Sequence, residues 1–137
     1  MTIKGLEING NGIVHENEDR AVFEVFNDDV KGDKNDFLAR NIRVFIVKKD
    51  GWIGDHYRED WEFYSVLSGE VHWFFEDMTT KEREDHLVHV GCKVKIPPNV
   101  AHSLKVKNGT IVLGRYIKPL QELKTNKYIL EWARNKK

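Results

Sequence analysis

The 137-residue chain carries 22 basic and 22 acidic residues, giving zero formal charge, and 40% of it is hydrophobic. That length suits one domain, and the balance of apolar to charged residues suits a folded chain rather than a disordered one. Without net charge there is no chain-wide attraction to nucleic acid or anionic lipid, so neither is an expected partner and an anionic ligand must be met by local charge.

Cys92 is the only cysteine, which excludes an internal disulfide and a cysteine-based zinc cluster. The opening Met1-Thr2-Ile3-Lys4-Gly5 has no apolar core of a secretory signal. No apolar run approaches the ~20 residues that span a bilayer. The expectation is a cytoplasmic protein with no membrane partner.

In chain order the sequence predicts short strands divided by turns. Ala21 to Phe26 is the first strand, ended by Asn27-Asp28-Asp29, and Lys31 to Asp36 is a polar loop. Asn41 to Val47 alternates Ile42, Val44 and Ile46 against Arg43, Phe45 and Val47, then breaks at Asp50-Gly51. Glu62 to Leu67 and Glu70 to Glu76 flank a hairpin turn at Ser68-Gly69. Glu82 to Val90, Lys93 to Ile96, Ala101 to Val106 and Thr110 to Lys118 follow as further strands. Strands at this spacing predict an all-β sandwich or barrel. From Pro119 to about residue 135, Leu120, Leu123, Tyr128, Ile129 and Trp132 predict an amphipathic terminal helix with Pro at its first position.

Two segments carry chemistry-bearing residues. In the first, Gly54-Asp55-His56-Tyr57-Arg58-Glu59-Asp60-Trp61-Glu62 leads on to Gly69; in the second, Gly91 leads through Pro97 to His102. If the chain is extended, His56, Arg58 and Glu62 share one face, and His102, Leu104 and Val106 form a second stripe. A closed sheet brings such stripes together over one cavity.

These segments resemble the paired motifs of the cupin superfamily, G-x5-H-x-H-x3,4-E-x6-G and G-x5-P-x-G-x2-H-x3-N. His56, Glu62, Gly69, Gly91, Pro97 and His102 fall on the motif positions, while Arg58 replaces a histidine, Asn99 a glycine and Val106 an asparagine. Asparagine tolerates the left-handed backbone the glycine serves. The resemblance implies a single cupin β-barrel (jelly roll) over about residues 20–118. Within the superfamily, Gly54-Asp55-His56-Tyr57, Val66-Leu67-Ser68-Gly69-Glu70-Val71 and Ile96-Pro97-Pro98-Asn99-Val100-Ala101-His102 look like the sugar-nucleotide cupins. These include dTDP-4-keto-6-deoxyglucose 3,5-epimerases and dTDP-sugar 3,4-ketoisomerases.

That likeness implies a metal-independent epimerase or ketoisomerase acting on a nucleotide-linked 4-keto-deoxy sugar, in surface-polysaccharide synthesis, as a homodimer. By position it makes His56 the base beside the keto group and His102 the holder of the keto oxygen. Tyr116 returns the proton, with Tyr64 or Tyr57 as substitutes. Arg58, Glu62, Tyr64 and Trp52 are the expected substrate contacts, Trp52 at the mouth. No cofactor is expected on this reading. Two alternatives stand beside it. His56, Glu62 and His102 make a two-histidine, one-carboxylate set of the kind that binds Fe, Mn, Ni or Zn, with Asp60 a further oxygen if Arg58 turns outward. Arg58 opposes that set, because a guanidinium repels a cation and attracts phosphate or carboxylate. The other alternative is a non-catalytic carbohydrate-binding cupin. His15, His72, His86 and His89 read as ordinary strand histidines, Trp61, Trp73, Phe74 and Phe75 as core or dimer contacts, and Cys92 as buried and inert.

Overall fold

The computed structural model describes residues 2–10, 12–23, 41–119 and 122–136. Side chains alternate faces along a strand, so each strand gives one row to the interior. Two five-stranded antiparallel sheets bring these rows face to face. One has the order β1 (Glu7–Asn9), β9 (Lys93–Ile96), β6 (Glu62–Ser68), β11 (Ile111–Tyr116), β4 (Asn41–Ile46). The other runs β12 (Asn126–Lys127), β5 (Gly51–Tyr57), β10 (Val100–Val106), β7 (Glu70–Asp77), β8 (Arg83–His89). A ribbon of β2 (Ile13–Glu16) and β3 (Ala21–Phe23) precedes them. Of the expected first strand, only Ala21–Phe23 falls within the described residues, and the polar loop at Lys31 to Asp36 lies outside them.

The all-β expectation holds. Val66, Val71, Trp73, Phe75, Val94, Ile96, Val100, Leu104 and Val112 fill the space between the sheets. Burying side chains of this kind contributes roughly 1.5–3 kcal/mol each. Gly69 turns the β6–β7 hairpin at φ +82°, and Asn99 adopts φ +63°, the left-handed backbone expected of it in place of glycine. The Asn99 amide donates to the Arg58 carbonyl at 2.8 Å, which ties the two motif turns together.

The expected C-terminal helix is present but short: it is one turn, α1 (Glu131–Arg134), and the described residues between Pro119 and Leu130 are not α-helical. The reason is an open strand edge. Asn126 and Lys127 pair with Tyr57 and His56, and the Tyr128 amide donates to the Asp55 carbonyl at 2.8 Å. These inter-strand bonds replace the intrahelical ones, and tertiary context overrides local propensity. The apolar residues still find a core, since Leu130 and Ala133 pack with Phe74 and Ala101 on the outer face of the second sheet. Glu76, 2% exposed, anchors them by accepting from Trp132 Nε1 at 2.9 Å and from the Tyr128 hydroxyl at 3.2 Å.

A bulge in β5 sets the phase of that strand. His102 lies opposite His56 and Ser103 opposite Gly54, so Asp55 is the extra residue. Gly54 and Asp55 have φ of +93° and +61°. A Cβ on Gly54 would lie 3.0 Å from the His102 carbonyl oxygen and 3.3 Å from Leu104 Cδ1, whereas one on Gly51 would meet nothing within 4 Å. Gly54→Ala is therefore expected to cost about 1–3 kcal/mol, and Gly51→Ala to stay within about 0.5 kcal/mol of wild type, both read by urea denaturation.

Candidate active site

His56 and Tyr116 face one pocket, which Arg43, Phe45, Ile53, Gly54, Arg58, Tyr64, His102, Leu104 and Val112 complete, with an empty volume of about 470 Å3 including its open mouth. The two sheets each supply part of it. On β6, Glu62 and Tyr64 point inward two residues apart, and on β11 Gly114 and Tyr116 lie opposite Tyr64 and Glu62 respectively. Gly114 leaves room there, because a Cβ at that position would lie 2.8 Å from the Tyr116 hydroxyl.

Glu62 is the hub of the polar groups and is 1% exposed. Arg58 Nη1 donates to its Oε1. The Tyr64 hydroxyl donates to the same oxygen at 2.7 Å, and the Tyr116 hydroxyl donates to Tyr64 at 3.1 Å. His102 Nε2 stands 3.4 Å from Oε2, and His56 Nε2 stands 3.8 Å from Oε1. Burial works to raise the Glu62 pKa; His102, His56 and Arg58 outweigh it and hold the carboxyl well below the usual range. Burial also raises Tyr116 and, more strongly, Tyr64 above the ordinary phenol, so both keep their protons at neutral pH. His102 is lowered, chiefly by burial, and is neutral there.

The imidazole of His56 is oriented by the bulge, with Nδ1 3.1 Å from the Gly54 carbonyl. That carbonyl accepts only, so Nδ1 carries a proton, and in the neutral form of the ring Nε2 is the nitrogen with the lone pair. Nε2 of His56 and Nε2 of His102 are both buried without a hydrogen-bond partner among the described residues. One ring nitrogen of each histidine and one Glu62 oxygen lie within 4.8 Å of one another. They are the donors a metal would use. The carboxylate, however, is already held by a permanent guanidinium cation, which a divalent ion would have to face in a poorly screened interior. The donor set therefore does not fit a cation while Arg58 points inward. Arg58 is 6% exposed and is fixed from behind, with Nε donating to Thr125 Oγ1 at 3.0 Å.

The structure brings together His56, Arg58, Glu62, Tyr64, His102 and Tyr116, as the sequence predicts, by a different route. β5 ends at Tyr57 and Glu62 opens β6 in the facing sheet, so His56 and Glu62 do not share a strand. Trp52 is not in the pocket. The bulge reverses the phase between Trp52 and His56, leaving Ile53 inside and Trp52 outside, against Phe74 and under the Arg134 guanidinium at 4.1 Å. Tyr57 belongs to the same outer cluster, beside Tyr128. Asp60 pairs with Lys118 at 3.4 Å. His72, His86 and His89 pair with Asp85, Glu84 and Glu70 in strand β8 or its neighbour β7, as ordinary strand histidines do. Cys92 is partly buried against the core.

Arg43 was not singled out by the motifs. Its guanidinium lies 5.2 Å from the centroid of the Tyr116 ring, and Arg58 lies at the same distance, so two cations attend one phenol. Among the described residues Arg43 has no carboxylate partner. The signal for it was present, since Arg43 alternates in phase with Phe45 on β4 and with Val47 just beyond it.

No protein-family model matches the chain, and no curated protein matches it in sequence. Solved structures do. A TDP-quinovose 3,4-ketoisomerase of Campylobacter jejuni is 14% identical, with 97% of this chain and 100% of that chain covered at a TM-score of 0.71. A 3,4-ketoisomerase of Thermoanaerobacterium thermosaccharolyticum in complex with TDP-4-keto-6-deoxyglucose is 13% identical, covering 88% and 85% at 0.69. A 3'-monoepimerase of Streptomyces bikiniensis in complex with dTDP-quinovose is 12% identical, covering 87% and 67% at 0.69. The chain thus has the cupin-like barrel on which those enzymes are built.

A folded carboxyl with a depressed pKa contributes stability that is complete above the unfolded value, 4.5, and is lost as pH falls towards the folded value. Glu62→Gln removes that contribution and leaves Arg58 unpaired, so at pH 7 it is expected to cost about 3–5 kcal/mol. The gap between wild type and variant should narrow steadily below pH 4.5, as read from urea midpoints across pH 2.5–7.

Proposed function

We propose that this protein is a metal-independent epimerase or ketoisomerase of a nucleotide-linked 4-keto-deoxy sugar. The observation that carries the reading is a histidine whose Nε2 has no hydrogen-bond partner among the described residues and a protonated, buried tyrosine facing the same pocket. Likeness of fold to sugar-nucleotide ketoisomerases and epimerases supports the substrate class.

His56 Nε2 takes the proton from the carbon next to the keto group, and the electron pair moves onto the keto oxygen to give an enolate. His102 Nε2 is the group that meets that oxygen. Tyr116 then donates its phenolic proton. Delivered to the opposite face of the same carbon, it inverts that centre. Delivered to the former carbonyl carbon while the neighbouring hydroxyl gives up its proton to the former keto oxygen, it moves the keto group by one position. A base near neutrality and a donor aimed at the enolate oxygen are what this chemistry needs. Arg43 supplies local positive charge for a ligand carrying a diphosphate, as a chain of zero net charge requires, while the charge of Arg58 is taken up by Glu62.

The guanidinium on Glu62 supports the metal-independent form of this reading. A cytoplasmic homodimer serving surface-polysaccharide synthesis belongs to the same reading. Its dimeric part is supported by the exposed row Ile42, Val44 and Ile46 on β4, at 52%, 53% and 62% exposure. A monomer of 16.1 kDa in sedimentation would contradict the dimer.

Incubation with dTDP-4-keto-6-deoxyglucose in D2O, followed by proton NMR, tests the chemistry. The expected result is loss of the signal next to the keto group, unaffected by exhaustive chelation and slowed about 10²–10⁴-fold by His56→Asn. Binding without exchange would mark a non-catalytic cupin, and activity lost on chelation and restored by a metal would mark a metal enzyme.

A further inference from the structure

Trp73 lies outside the pocket lining, 0% exposed in the core on β7, yet it touches the site at one atom. Its indole Nε1 donates to His102 Nδ1 at 3.1 Å. The two residues are diagonal neighbours on paired strands, with Trp73 opposite Leu104 and His102 opposite Phe75. Their ring planes lie within 21° of each other, so the indole N–H runs close to the plane of the imidazole, where the Nδ1 lone pair is.

An indole nitrogen donates and never accepts. Nδ1 of His102 must therefore be the unprotonated nitrogen, and in the neutral ring the proton sits on Nε2. We propose that Trp73 is the positioning residue that fixes His102 as a one-way hydrogen-bond donor, its Nε2–H aimed into the pocket beside Glu62.

Two consequences distinguish this from simple packing. First, His102 cannot act as the proton acceptor, because a proton on Nδ1 would confront the indole N–H. The base role falls to His56, whose Nδ1 faces a carbonyl instead. Second, His102 cannot ligate a metal through Nε2. A metal-bound imidazole carries its proton on the other nitrogen and hands it to an acceptor, and Trp73 offers none. This objection to a metal centre is independent of Arg58 and would survive its removal.

Only the donor's use on a keto oxygen rests on the proposed function; the tautomer does not, so the test separates the two. Long-range proton–nitrogen correlation NMR on the 15N-labelled full chain, without substrate, reports which ring nitrogen of His102 is protonated. The expected result near neutral pH is a protonated Nε2 and an unprotonated Nδ1. A protonated Nδ1, or one stoichiometric cobalt(II) ion bound through His102 Nε2, would overturn the proposal. Trp73→Phe keeps an aromatic ring and deletes the donor. It should give a tautomer mixture, with kcat on the keto sugar lowered at least about tenfold and KM within about twofold. A variant that keeps pure Nε2–H would overturn the proposal even if its activity fell. If that variant does not fold, the wild-type spectrum decides. Should the wild type show the Nε2–H tautomer but no turnover, the tautomer stands and the sugar-isomerase reading fails.

Discussion

A carboxylate sealed between two β-sheets must be neutralised where it stands, and the rest of this pocket is organised by how Glu62 meets that requirement. Desolvating one ion costs several kcal/mol even after relaxation, and an attraction that offsets it needs close geometry and satisfied lone pairs. Arg58 supplies the charge, Tyr64 a hydroxyl, and the two histidines stand against the remaining oxygen positions. Because Tyr64 is committed to Glu62, its oxygen is free to accept from Tyr116 on the neighbouring strand, which is fixed in turn. One buried charge thus gathers five polar side chains, four directly and Tyr116 through Tyr64. It also places a guanidinium on the carboxylate of a constellation that has the composition of a metal site.

The second constraint is mechanical. His56 points inward only because an extra residue interrupts β5, and a bulge with two left-handed residues needs support. The C-terminal segment provides it. Arg134 grips Asp55 through both carboxylate oxygens at 2.7 and 2.8 Å, and the Ser103 hydroxyl donates to the same group at 2.6 Å. A few residues earlier, β12 pairs with the backbone of His56 and Tyr57, and Thr125 receives Arg58. A stretch more than 65 residues away in sequence therefore braces both the histidine and the arginine of the site.

Much of this was legible beforehand, for physical reasons. Strict alternation in β4 and the Ser68-Gly69 turn require no tertiary information, and the spacing of His56, Glu62 and His102 survives because a barrel tolerates changes in loops more than changes in inward rows. Phase errors were not legible. The Gly54-Asp55 bulge moved Trp52 from the expected mouth to the outer face, and nothing in the local sequence gives the pairing partner that reveals an extra residue. The terminal segment read as a helix because helical spacing of Leu123, Tyr128 and Trp132 is compatible with burial on one side. The strand edge of β5 that captured Asn126 and Lys127 is a tertiary fact. Trp73 was placed in the core, where it is, but its hydrogen bond to His102 depends on a strand neighbour 29 residues away.

The claim on which everything else rests is that Glu62 is ionised inside the barrel. Infrared difference spectroscopy of wild type against Glu62→Gln reads this directly. The account predicts a carboxylate stretch assignable to Glu62 at neutral pH that persists as the pH is lowered past 4.5, the ordinary value for a glutamate. A protonated carbonyl stretch from that side chain at neutral pH would contradict it.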